Sequence, residues 1–391
     1  MAVQLRPEQE VILAAVRGDR AGDERVRELI KGGLDWAVLH RIALQHGVLP
    51  LLYRELKAVG EALVPPEEMI PLKKLFLNNA LRNQTMAQKL VHVLDLLSST
   101  GIEAIPFKGP ILALQAYGTL SWRHFGDLDI LIHHHDFQRA YEQLASAGYS
   151  PTHSVDKKWG TWVGRVGKEL TFSDQDVSLD IHWGITGGGF LGMTIDQGAF
   201  WQDLRLLDIN SHQVRVFSPE NTVLLLCIHG TQHGWQALSL IADLAHLIRN
   251  HPDLDWRGLF RHAKRVRAQR VLRLGLQLAQ EIAGAPLPPE VESVFHARPS
   301  GADLAAEVKG NLFADGNRSS QFNQATFRAR ATERLRDRFL HVISLPLVPE
   351  PADLAAVRLP GFLYPLYYVI RPVRLLFFKY GPRALRGTVR R

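Results

Sequence analysis

One cysteine, Cys227, stands in 391 residues. No disulfide can form within the chain, so packing must hold the fold, and this usage fits a reducing compartment. There is no low-complexity tract and no internal repeat. With 46% hydrophobic and 22% charged residues, the composition is that of an ordinary globular protein. No uncharged apolar run of about 18 residues occurs upstream of the C-terminal region. The opening MAVQLRPEQEVILAAV carries acidic residues and lacks a long apolar core, so it does not read as a signal peptide. A cytoplasmic protein is expected. Acidic residues are also missing after Asp353, where Arg358, Arg371, Arg374, Lys379, Arg383, Arg386, Arg390 and Arg391 lie. These eight cations account for the whole net charge of +7, and the rest of the chain is near neutral. That distribution argues against a broadly basic nucleic-acid-binding surface.

What is present divides the chain into three parts. Residues 1–98 read as a helical lid or packing region, with apolar residues at helical spacing in LDWAVLHRIALQHGVLPLLYREL and PLKKLFLNNALRNQTMAQKLVHVLDLLSS. Pro65 and Pro66 precede the last of these helices and Gly101 ends it. Residues 99–218 change period and read as an α+β core. Its strands are IEAIPF, GDLDILI, KWGTWVGRV, KELTFSD and VSLDIHW, and its helices are GPILALQAYG and HDFQRAYEQLASAGY. LRLLDIN and HQVRVFS form one more hairpin. Residues 219–391 are helical again, starting after a Ser218 N-cap and ending in the basic, aromatic tail.

The chemistry concentrates between Ile102 and Trp183. Asp127 and Asp129 are two apart on an apolar strand, so their carboxylates share one face while Leu128, Ile130 and Ile132 take the other. Adjacent like charges raise each other's pKa unless a cation neutralises them. A third carboxylate, Asp180, sits between Leu179 and Ile181 on a later strand. Singly, each has a bland explanation: Asp180 can pair with Arg123 or Lys108, and Asp127 can serve a Gly-Asp turn. Together they make a divalent metal site the better account, and oxygen ligands suit Mg²⁺ or Mn²⁺ rather than zinc. Upstream, Lys108 and Gly109 stand at a strand-to-helix junction. There a helix N-terminus, a permissive backbone and a full positive charge suit phosphate; Arg123 is placed to add another charge.

Other residues carry weaker signals. His182 shares the face of Asp180, where it orients that carboxylate, touches substrate or is simply a satisfied strand histidine. Trp183 follows it and is taken with it as a cleft residue. His229 and His233 are four apart on a helix, with no glutamate beside His229 to make a zinc-protease motif. With Trp235 and Asp243 they line the cleft or pack the helix. His133, His134 and His135 end a strand in an exposed loop. The tail is a basic amphipathic segment, a candidate for peripheral contact with an anionic inner-membrane surface, or a packed helix with a solvated basic end.

The ordered series F-K-G, R-x-x-G-D-L-D-I-L, A-x-A-G-Y and L-D-I-H-W resembles the nucleotidyltransferase superfamily that shares the DNA polymerase β palm. More closely it resembles a poorly characterised bacterial group of nucleotidyltransferase family proteins, and the later H-x-x-x-H-x-W and A-D-L-A-x-L-I are similar to that group too. The resemblance spans Ile102 to Ile248. It implies a polymerase β-like core, a mixed or antiparallel sheet with helices, flanked by helical domains. It implies metal-dependent transfer of a nucleotidyl group from an NTP. Asp127, Asp129 and Asp180 would match the catalytic and metal-binding carboxylates; Lys108, Gly109 and Arg123 would bind the nucleotide. Two metal ions would act, one activating an acceptor hydroxyl and one on the triphosphate, with Asp180 also a general base. One departure is plain: Pro110 follows a single glycine where the superfamily has two small residues, and the loop from Gly118 to Gly126 is long.

The acceptor expected by analogy is a small molecule or peptide, as in natural-product tailoring, with no nucleic-acid partner. Two other readings stand beside it. One is a catalytically silent nucleotide- or partner-binding protein, against which the three carboxylates argue. The other is a protein-adenylylating enzyme of the toxin–antitoxin type, which the large helical flanks do not favour.

Overall fold

The computed structural model describes residues 5–18, 23–152, 168–174, 176–185, 198–296, 302–314, 321–333, 336, 338, 347, 349, 353, 356–357 and 359–380. The strand expected at KWGTWVGRV lies outside the described residues. Among the described residues the first part of the chain forms α1 (Pro7–Arg17), α2 (Asp23–Lys31), α3 (Trp36–Gln45), α4 (Leu49–Val59) and α5 (Pro66–Ser99). In α3 the Asp35 side chain caps the helix by accepting from the Val38 N–H. In α5 Pro66 occupies the first turn, and Glu67 and Glu68 oppose the helix dipole there.

The α+β core follows as β1 (Ala104–Pro106), α6 (Gly109–Tyr117), β2 (Asp127–Ile132), α7 (Phe137–Ser146), β3 (Ser150–Pro151), β4 (Glu169–Ser173) and β5 (Ser178–His182). The strands form one mixed sheet in the order β1-β2-β5-β4-β3. Among the described strands of this sheet, β2 and β5 pair in parallel and the other pairs are antiparallel. After the short helix α8 (Gly198–Trp201), β6 (Leu204–Ile209) and β7 (His212–Phe217) make the expected hairpin as a separate two-stranded sheet.

Helices then resume with α9 (Pro219–Gln232), α10 (Leu238–Asn250), α11 (Trp256–Arg265), α12 (Gln269–Ala283), α13 (Pro289–His296), α14 (Ala302–Asn311), α15 (Gln321–Ala331) and α16 (Tyr367–Tyr380). Ser218 caps α9, its hydroxyl accepting from the Asn221 N–H at 3.3 Å. The molecule is a mixed α+β protein. Among the described residues no helix is long and apolar enough to cross a membrane.

Two hydrophobic interiors cut across chain order. The first joins α1–α4 to α9, α10 and α12, and takes in Phe107, Leu112 of α6 and Leu131 of β2. The second lies on the opposite side of the sheet. There Leu128, Ile130, Leu179, Ile181, Leu170 and Phe172 meet the second half of α5, α7, and Tyr364 and Tyr367. Side chains alternate along a strand, so β2 and β5 turn the residues between those apolar ones toward the other face. That face carries Asp127, Asp129, Thr171, Asp180 and His182.

Candidate active site

Parallel pairing of β2 with β5 sets Asp129 directly beside Asp180, and Asp127 beside Ser178. On the far side of β5, Thr171 lies opposite Asp180 and Glu169 opposite His182. Carboxylates from strands far apart in sequence are thus neighbours on one face. Asp129 is almost wholly buried, while Asp127 and Asp180 are half-buried.

The hydrogen bonds around Asp129 are asymmetric. Its Oδ1 accepts from Lys108 Nζ at 2.9 Å and from His182 Nε2 at 3.0 Å. Its Oδ2, and Oδ1 of Asp180, are buried and have no hydrogen-bond partner among the described residues. A buried carboxylate oxygen left unpartnered is costly, and here two such oxygens belong to residues that face each other across the strand pair. Ligand atoms of Asp129, Asp180 and His182 lie within 4.8 Å of one another. The two carboxylates of this group fit a divalent ion of the Mg²⁺ or Mn²⁺ kind, which favours oxygen donors.

The electrostatics separate the three carboxylates. Burial works against ionised Asp129, but Lys108 and His182 outweigh it and hold its pKa well below the usual carboxylate range. Burial raises the pKa of Asp127, and the charge of Asp129 adds to the rise. Burial raises Asp180 too; a hydrogen bond from Thr171 opposes this and the Asp129 charge reinforces it. Asp180 is thus the better proton acceptor of the facing pair.

His182 lies between two acids, with Nε2 on Asp129 and Nδ1 3.2 Å from Glu169. Both ring nitrogens face carboxylates, which calls for the doubly protonated imidazolium. Burial disfavours that cation, but Asp129 and Glu169 overcome it and raise the pKa to about 9. In this arrangement His182 orients Asp129 as a donor and is not a metal ligand.

Gly109 starts α6 with φ of +47°, and a Cβ there would stand 3.0 Å from the Asp127 carbonyl oxygen. Glycine is required both by this left-handed backbone and by the close approach to β2. Lys108 is thereby held over the site, with Nζ also 5.2 Å from the Phe107 ring centre. Pro110 has no N–H to offer a phosphate, so the turn depends on the Lys108 charge more than on a cradle of amides.

Arg123 does not point freely into the cleft. Its Nε donates to Asp243 of α10 at 2.9 Å and its guanidinium also reaches the Gly109 carbonyl at 3.4 Å. Tyr117 donates to the other oxygen of Asp243 at 2.9 Å. Arg123 therefore ties α10 to the start of α6 beside the site. His229 and His233 face each other on and just after α9, ring centres 4.4 Å apart. Burial, followed by the positive charge of Lys108, holds both imidazoles below their ordinary pKa, His229 well below. They are neutral groups on the Lys108 side of the cleft. Trp183 lies apart from all of these. Alternation sends it to the face of Leu179 and Ile181, where it is buried and packs on Phe137 with ring centres 4.2 Å apart.

Sequence reasoning missed three supports. Glu169, the second partner of His182, lay on a strand with no recognisable motif. Asp243 reads from the sequence as lining the cleft or packing its helix, and neither reading gives it Arg123 as a partner. Asn79 and Asn83, one turn apart on α5, clamp the loop before β2. Asn83 Nδ2 donates to the Leu120 and Arg123 carbonyls at 2.7 and 2.8 Å, and Asn79 donates to Ser121 and Arg123. The usable signal was the asparagine-rich run NNALRN inside an otherwise strong helix, since asparagine disfavours helix interiors unless its amide finds a partner.

A family model described as "uncharacterised nucleotidyltransferase" matches residues 32–284. No curated protein matches the chain. A solved antigenic nucleotidyltransferase-like protein from Paracoccidioides brasiliensis is 15% identical, covering 57% of this chain and 89% of that chain with a TM-score of 0.30. A likeness that distant carries no argument about fold or mechanism.

Proposed function

The chain belongs to this family of uncharacterised nucleotidyltransferases, and from that premise we propose that it moves a nucleotidyl group from an NTP to a hydroxyl-bearing small molecule or peptide in a reaction that depends on a divalent metal. The observation that carries the reading is the facing pair Asp129 and Asp180, each with a buried carboxylate oxygen that has no hydrogen-bond partner among the described residues. Asp129 and Asp180, with Asp127 at the start of the same strand, would hold Mg²⁺ or Mn²⁺. Such an ion, when bound, supplies charge neutralisation at the triphosphate and lowers the pKa of a bound hydroxyl.

The remaining roles belong to the chain's own side chains. Lys108 meets the phosphates and stabilises charge on their oxygens. The acceptor oxygen attacks the α-phosphorus, a new P–O bond forms and the bond to pyrophosphate breaks. Asp180, with its raised pKa, takes the hydroxyl proton. His182 keeps Asp129 ionised and fixed in orientation. Arg123 holds α10 against α6, and the neutral His229 and His233 form the wall beside Lys108.

A thermal-shift series tests this, since a ligand that binds the folded state raises its melting temperature. The full chain should be stabilised by at least one NTP with Mg²⁺, and Asp129→Asn and Asp180→Asn should lose that response. Label in the α-phosphate should then pass to the acceptor, and label in the γ-phosphate should leave with pyrophosphate. If no NTP stabilises the wild type, or both variants respond as the wild type does, the proposal fails. A second reading, a silent nucleotide-binding protein, draws on one observation: Lys108 and His182 both already occupy Oδ1 of Asp129. It predicts NTP binding with no release of pyrophosphate.

A further inference from the structure

The C-terminal helix α16 has two unlike faces. Its inner face is tightly held. Tyr367 is 1% exposed and its hydroxyl donates to the Val357 carbonyl at 2.6 Å, while Tyr364 packs beside it in the second interior. One turn on, Arg371 donates to Asp353 Oδ2 at 2.8 Å, and Arg374 donates to Asp353 Oδ1 at 2.6 Å. Asp353 is wholly buried, and removing a partner from a buried pair of this kind is strongly destabilising. The helix therefore cannot roll to hide its other face.

That other face is apolar and open. Val369 and Val373, one turn apart, are 61% and 46% exposed, Leu366 in the 3-10 turn just before the helix continues the line at 45%, and Tyr368 and Leu375 are exposed on its flank. This is an amphipathic stripe at helical period that the described residues leave uncovered. After Arg374 the sequence continues Leu375-Leu376-Phe377-Phe378 and then adds Lys379, Arg383, Arg386, Arg390 and Arg391, with no acidic residue.

From this pairing of an exposed apolar stripe with a wholly basic continuation, we propose that α16 docks the protein onto an anionic lipid bilayer surface. Charge complementarity selects the occupant. A second copy of the chain would bring two basic tails together, whereas anionic headgroups neutralise them, at about a fivefold gain in binding per cation near the surface. The geometry selects the mode. Fourteen residues of helix extend about 21 Å, short of the roughly 30 Å hydrocarbon core. The helix lies in the interface with its stripe toward the acyl chains.

Vesicle flotation of the full chain tests the proposal. The wild type should float with phosphatidylcholine–phosphatidylglycerol vesicles and not with phosphatidylcholine alone, and raised salt should release it. Val369→Ser with Val373→Ser should weaken binding about tenfold or more, with an unchanged melting temperature because both residues are exposed. Independently, replacing Lys379, Arg383, Arg386, Arg390 and Arg391 by Gln should weaken it at least a hundredfold. Failure of the wild type to float with anionic vesicles overturns the proposal, as does wild-type binding by both variants. So does a dimer in solution that the paired valine substitutions convert to monomer, which would assign the stripe to a second copy.

Discussion

The two faces of the β2–β5 strand pair are built from alternating residues of the same dozen positions, and they are opposites in physical character. One face carries Leu128, Ile130, Leu179, Ile181 and, just past the strand, Trp183, all buried and packed on α5 and α7. The other carries Asp127, Asp129, Asp180 and His182, with two buried carboxylate oxygens unpartnered among the described residues. The first face contributes to stability by removing apolar area from water. The second gathers buried carboxylates whose charge Lys108 and His182 offset at Asp129, while burial leaves Asp127 and Asp180 with raised pKa values. Strand alternation lets one rigid element do both, so the site is held by the core directly behind it.

The comparison can be broken at several points. Asp129→Asn should bring nucleotidyl transfer to background and also lower the melting temperature, because it leaves Lys108 and His182 without their buried counter-charge, checked by product assay and thermal unfolding together. On the other face, Ile130→Ala or Leu179→Ala should cost about 2–5 kcal/mol in stability, measured by denaturant unfolding. The fraction that remains folded should keep its metal affinity. His182→Gln should weaken metal binding about 10- to 100-fold, because the residue orients Asp129 without ligating.

The same histidine gives a pH signature in the metal-free protein. Its folded pKa is raised from 6.5 to about 9, so its stabilising contribution is complete below 6.5 and is lost as pH rises through 9. His182→Gln should remove that loss from the stability profile. The smallest effect is the most diagnostic for the polar face. The raised pKa of Asp180 means its ionisation is disfavoured by folding, and that cost grows as pH rises. Asp180→Asn should therefore raise the melting temperature of the metal-free protein at neutral pH, even as it removes function.

Much of this was legible in residue spacing. The period-2 rule placed Asp127 with Asp129 and Asp180 with His182, and punctuation by Gly101, Gly109 and Gly148 marked the ends of the core elements. The same rule assigns Trp183 to the apolar side, since it is in step with Leu179 and Ile181; reading it with His182 as a cleft residue followed adjacency in place of alternation. What spacing does not carry is pairing across elements. The registers that bring Glu169 to His182 and Asp129 to Asp180 depend on which strands are neighbours, and the Arg123–Asp243 pair spans 120 residues. Two asparagines on α5 decide how the loop before β2 is held, yet their role appears only once α5 is seen to lie against that loop. The tail divides similarly: its charge was plain in the sequence, but the docking of Arg371 and Arg374 on Asp353 was not.

The central claim is that Asp129 and Asp180 together form a metal site behind which the core is packed. Calorimetric titration of Mn²⁺ into the metal-free full chain tests it most directly. The account predicts saturable binding that Asp129→Asn and Asp180→Asn each abolish, with the double variant no worse than either alone. Binding that survives both substitutions, or no binding by the wild type with or without an NTP, would contradict it.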